Sequence, residues 1–144
     1  TRPHRLDILS YDGCQLLDVA GPAAVFGAAN AAADRPVYDL RIVSPDGGLV
    51  SSNCGVALDS RKIGGQPDTL LVAGGSRGLK AAMTRLDLRR WLRRVAPKTR
   101  RFGSVCTGFP TASARSIRKT LAPRSASSMA HIGPGPMPPI STIE

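Results

Sequence analysis

In the run Arg101-Phe102-Gly103-Ser104-Val105-Cys106-Thr107-Gly108, a short stretch suited to a buried strand delivers a cysteine onto a glycine-flanked corner. A reactive side chain on a tight strand-to-helix turn is held clear of its neighbours, and the crowded backbone there calls for small flanking residues. Thr107 and Gly108 are small. A helix after the corner would set its N-terminal N–H groups and positive dipole end beside the sulfur, favouring thiolate over thiol. Two readings of Cys106 stand at this point. It is a nucleophile on an elbow, or an inert buried thiol packing as a small hydrophobe.

Working outward, the segments before the elbow alternate between strands and helices. Arg5-Leu6-Asp7-Ile8-Leu9 predicts a first strand, ended by the turn Tyr11-Asp12-Gly13-Cys14. A helix is predicted over Ala23 to Ala33, with Pro22 just before it, where no N–H partner is lost. Tyr38 to Val43 reads as the second strand, and Ser44-Pro45-Asp46-Gly47-Gly48 as a turn. Leu49-Val50 and Val56-Ala57-Leu58 flank a short hairpin-like excursion. Asp68 to Val72 is a further core strand running into Ala73-Gly74-Gly75. Leu88, Trp91, Leu92 and Val95 recur at helical spacing among arginines, which predicts a basic amphipathic helix leading back to the strand before Cys106.

Such alternation implies an α/β fold with a mainly parallel sheet covered on both faces. Sites in these folds collect at the carboxyl ends of strands, where Asp18, Gly74-Gly75 and Cys106 all fall.

The chain of 144 residues is long enough for one domain with a real core. Its three cysteines, Cys14, Cys54 and Cys106, are odd in number and widely spaced, so neither a disulfide framework nor a metal knuckle is indicated. A reducing, cytoplasmic setting is expected. No apolar run approaches the roughly 18 residues that cross a bilayer, so no membrane partner is expected. The formal charge of +10 raises the question of nucleic acid, but much of it lies on the amphipathic helix, whose basic face is expected to be solvated. No aromatic interleaving or groove-reading motif accompanies it. His4 is expected at the surface, and Cys14 and Cys54 as packing or incidental thiols.

After Gly108 the pattern breaks. Residues 109–144 hold half of the 12 prolines and little apolar periodicity, a composition expected to be low in order. A shift of reading frame after Gly108 would account for the change.

Taken together, Asp12 to Phe26, Tyr38 to Gly48, Asp68 to Gly75 and Gly103 to Gly108 resemble the ThiJ/PfpI superfamily, the class I glutamine amidotransferase-like group. They are most similar to the N-terminal sensor domain of AraC-type transcriptional regulators. The resemblance implies a flavodoxin-like three-layer sandwich over residues 1–108, with its C-terminal part incomplete. It places Cys106 in the nucleophile position and Asp18 beside it as the acidic partner. A carboxylic acid held protonated near a thiolate can donate to the sulfur and lower the thiol pKa. The competing role for Asp18 is that of a carboxylate capping the approach to the helix.

Gly75 and Thr107 would offer backbone N–H groups to a bound ligand or oxyanion. No metal and no cofactor are implied. The histidine that enzymes of this group supply after the elbow has no match here, since His131 sits in a different context.

The resemblance therefore implies a fragment that senses a small-molecule ligand, is compatible with homodimerisation, and meets DNA only through a helix-turn-helix module absent from these residues. A cysteine-dependent hydratase or hydrolase, similar to isocyanide hydratase, remains the alternative. A nonfunctional product of a disrupted gene is a third reading.

Overall fold

The computed structural model describes residues 2–99 together with the backbone of 101–105. In chain order the elements are β1 (His4–Leu9), α1 (Leu16–Ala31), β2 (Tyr38–Ser44), β3 (Gly48–Ser51), β4 (Ala57–Lys62), β5 (Thr69–Ala73), α2 (Ser76–Thr84), α3 (Leu86–Val95), a 3-10 turn (Ala96–Lys98) and β6 (Arg101–Val105). They form a six-stranded sheet in the order β3-β4-β2-β1-β5-β6. Every pairing is parallel except β3 with β4, which is the expected hairpin.

β1 is central, with Ile8 facing Ile42 on one side and Leu71 on the other. Strands flanked on both edges and covered on both faces read as apolar runs. Leu6, Ile8, Leu9, Leu70 and Val72 are accordingly buried. The step from β1 to β2 and the step from β5 to β6 run in opposite directions across the sheet. Right-handed crossovers then place α1 on one face and α2 with α3 on the other, which makes three layers. Phe26 of α1 meets Tyr38 of β2 edge-on, with centroids 4.8 Å apart. On α3, Leu88, Trp91, Leu92 and Val95 are the buried residues, as their spacing predicts.

The first helix differs from expectation. It begins at Leu16, seven residues before Ala23, and encloses Pro22. Proline inside a helix forfeits one bond to the carbonyl four residues earlier, which is why the sequence favours a later start. The earlier start is imposed by the loop. Gln15 N–H donates to the Gly74 carbonyl at 2.8 Å and Asp18 N–H to the Gln15 carbonyl at 3.1 Å, so the chain is already winding when it leaves the sheet.

The helix also buries less than a sequence apolar on more than one side suggests, since Leu17 and Val25 are 60% and 65% exposed. The sequence pattern does not announce a separate α2. It has only nine residues, and Gly78 interrupts its pattern. Residues 106–144, including the expected tail, lie outside the described residues.

Candidate functional site

The site is assembled from the loops at the carboxyl ends of β1 and β5. Asp18, the third residue of α1, is 1% exposed. Its Oδ2 accepts the Gly74 N–H at 2.7 Å. This is not the cap of its own helix that the sequence also allowed. The carboxyl group reaches across to the loop after β5, and the Gln15 N–H returns a bond to the same glycine's carbonyl. Tyr11 adds a third tie by donating its hydroxyl to the Ala73 carbonyl.

Close backbone approach makes this latch possible. Gly75, at φ 133°, starts α2, and a Cβ there would stand 2.7 Å from the Gly13 carbonyl oxygen. A Cβ on Gly78 would stand 2.4 Å from the Asp12 carbonyl oxygen. The β3–β4 hairpin braces the other side of the β1 loop. Gly13 N–H donates to the Ser51 carbonyl and Asn53 N–H to the Cys14 carbonyl, both at 2.8 Å. The Asn53 amide also donates to the Gln15 side chain. Beside these loops a cleft of about 270 Å³ opens between Asp12, Pro45, Leu49, Ala82 and Arg85.

Of the expected site residues, Asp18 and Gly75 come to the same loop pair, with Asp18 bonded to the residue before Gly75. Cys106 and Thr107 lie outside the described residues, as does His131. Val105, the last residue of β6, stands opposite Ala73, the residue before Gly74. Gly78, Tyr11 and Asn53 do not stand out in the sequence as site residues. The only local signal for Gly78 is a glycine inside a helical stretch, which often marks close packing.

Cys14 is fully buried, as a packing thiol should be, and burial pushes its pKa up. Cys54 is exposed, and the Ser52 hydroxyl 3.4 Å away holds its thiol below the ordinary value. His4 is not a loose surface residue. It opens β1 at the end of the sheet opposite the latch, half-buried, with Nε2 2.8 Å from Thr69 Oγ1. Among the described residues no cluster of three or more His, Cys, Asp or Glu could hold a metal ion. Among them, too, no helix is long and apolar enough to cross a membrane.

The same fold occurs in solved proteins. A ThiJ/PfpI family protein from Pseudomonas syringae matches with a TM-score of 0.64 and 21% identity, over 75% of this chain and 44% of that one. An AraC family transcriptional regulator from Pseudomonas putida matches at 0.54 and 23%, over 71% and 64%. Oxidized DJ-1 of Toxoplasma gondii matches at 0.58 and 13%, over 81% and 60%. The chain thus spans 44–64% of the length of these three proteins.

The architecture defines the class: an α/β protein with the flavodoxin-like fold seen in ThiJ/PfpI and DJ-1 superfamily proteins, as the sequence resemblance implied. By sequence, 111 residues are 40% identical to an uncharacterized protein in the cpoL 5' region of Streptomyces lividans, covering 74% of this chain and 75% of that one. The chain belongs to the family of that Streptomyces protein. No protein-family model matches it.

Proposed function

We propose that this chain is the ligand-sensing domain of an AraC-type transcriptional regulator, binding a small metabolite beside Asp18 and Cys106. The observation that carries the reading is the buried Asp18 carboxyl group closed onto Gly74 N–H, one strand away from the end of β6. A carboxyl group spent on fixing two loops builds a rigid, pre-organised corner, which suits recognition. The AraC family neighbour supports the same direction at the level of fold.

In this reading Gly75 and Thr107 supply backbone donors to the ligand. DNA is contacted by a helix-turn-helix module elsewhere in the regulator, which acts in the cytoplasm as a homodimer. The division of the chain near residue 108 belongs to the same proposal. Trypsin should cut at Arg115, Arg118, Lys119 and Arg124 before it cuts between β1 and β6.

The second reading, a cysteine-dependent hydratase, keeps its ground because a buried acid at the carboxyl end of the sheet, with Cys106 following β6 in the sequence, also suits nucleophilic catalysis. Thermal-shift binding of small carbonyl, nitrile and isocyanide compounds, each followed for product by mass spectrometry, separates the two. Binding without product supports the sensor. Turnover abolished by Cys106→Ser would replace it with the hydratase.

A further inference from the structure

The turn of α1 that carries Asp18 is weakly held by its own helix. The first N–H groups of any helix lack an intrahelical partner. Gln15, at the N-cap, supplies no side-chain bond to them. Four residues after Asp18 stands Pro22, which has no N–H to give to the Asp18 carbonyl, and Gly21 beside it leaves the backbone freer. Such a turn fixes its carboxyl group only if something outside the helix holds it.

Asn53, at the tip of the β3–β4 hairpin, meets it there. Its Oδ1 accepts the N–H of Leu16, the first residue of α1, at 3.3 Å, and its side-chain amide donates to Gln15 Oε1. Gln15 in turn holds both sides of the latch, with its N–H on the Gly74 carbonyl at 2.8 Å and its carbonyl accepting Asp18 N–H at 3.1 Å. The hairpin does not need the Asn53 side chain for its own place. Backbone bonds secure it: Asn53 N–H to the Cys14 carbonyl at 2.8 Å, Ser52 N–H to the Val56 carbonyl at 2.9 Å and Gly55 N–H to the Ser52 carbonyl at 3.1 Å. An asparagine oxygen on the first N–H groups of a helix is ordinary capping chemistry, supplied here from another element.

We propose that Asn53 is a positioning residue for Asp18: by capping α1 from the hairpin and fixing Gln15, it holds the Asp18 carboxyl group against Gly74. Where Asp18 serves Cys106, Asn53 sets that arrangement too, and this step alone rests on the shared site proposed above.

Amide exchange in the full chain, followed by NMR, tests the hold on the latch, and pH-resolved iodoacetamide labelling of Cys106 tests what that hold does for the site. In Asn53→Ala, exchange at Gly74 and Asp18 should quicken by about fivefold, the loss of one cap, with Ser52 and Leu70 unchanged. Asn53→Asp keeps an acceptor for Leu16 N–H and should restore the protection of Gly74. The labelling midpoint of Cys106 should rise in Asn53→Ala as it does in Asp18→Ala, and the double variant should rise no further than Asp18→Ala alone. Unchanged exchange at Gly74, or exchange quickened equally at Ser52, overturns the proposal. So does a double variant whose midpoint rises by the sum of the two. If Gly74 responds to Asn53→Ala while Cys106 responds to neither variant, the hold of Asn53 on Asp18 is supported and the shared Asp18–Cys106 site is what fails.

Discussion

Gly78→Ala sets two opposed effects against each other. In an open helical position, replacing glycine by alanine stabilises by about 0.5–1 kcal/mol, since the unfolded chain loses freedom. At Gly78 the new methyl would lie 2.4 Å from the Asp12 carbonyl oxygen and 2.9 Å from the Gly13 carbonyl carbon. An ordinary contact requires roughly 1 Å more. The turn cannot easily yield, because Ser51 N–H donates to Asp12 Oδ1 at 3.0 Å and Gly13 N–H to the Ser51 carbonyl at 2.8 Å. Overpacking of this kind costs about 1–3 kcal/mol, so the clash wins and the net effect is a loss of about 1–2 kcal/mol.

Gly27, also helical, has open space where a methyl would stand, with nothing within 4 Å, and Gly27→Ala should stabilise by about 0.5–1 kcal/mol. Urea unfolding followed by Trp91 fluorescence measures both variants. If Gly78→Ala gains stability alongside Gly27→Ala, α2 does not pack onto the β1 loop as closely as described, and the reasoning fails.

Asp18→Ala strands the Gly74 N–H in the core and should cost about 1–3 kcal/mol in urea unfolding, whereas Asp18→Asn keeps an acceptor oxygen and should cost under about 1 kcal/mol. Amide exchange at Gly74 should accelerate more than at Leu70 in the alanine variant, and equal protection would count against the latch. Acid should weaken the fold through Asp68, which the hydrogen bonds from Arg2 hold at about 2. Because its folded pKa lies below the ordinary carboxylate value, that contribution is whole above about pH 4 and disappears as pH falls through 2. Unfolding of parent and Asp68→Asn between pH 2 and 6 should therefore converge at the acid end, and parallel curves would refute it.

Much of the sheet was legible because the central strands β1, β2 and β5 announce themselves by apolar residues bounded by turn or loop residues. Ser44-Pro45-Asp46-Gly47-Gly48 marks the end of β2, and the buried set of α3 follows directly from the spacing of Leu88, Trp91, Leu92 and Val95. Local rules failed where long-range bonds decide. Pro22 argues for a late helix start only until the loop after β5 is present to wind the chain at Gln15. Asp18 was recognisable as an acid at a strand end, but its partner is 56 residues away and leaves no mark on the residues near it. Gly78 looks like a weak point in a helix, and its value is apparent only against the carbonyl of Asp12. His4 likewise gains its partners, Thr69 and Tyr38, from strands that are distant in sequence.

The central claim is that Asp18 and Cys106 share one site, and pH-resolved iodoacetamide labelling of the three thiols by mass spectrometry tests it most directly. Cys14 is fully buried and should label last, while exposed Cys54, with its pKa lowered by Ser52, sets the standard that Cys106 must exceed. The account predicts that Cys106 labels at lower pH than Cys54 and that its midpoint rises in Asp18→Ala. Labelling of Cys106 at or above the pH of Cys54, with no response to Asp18→Ala, would contradict it.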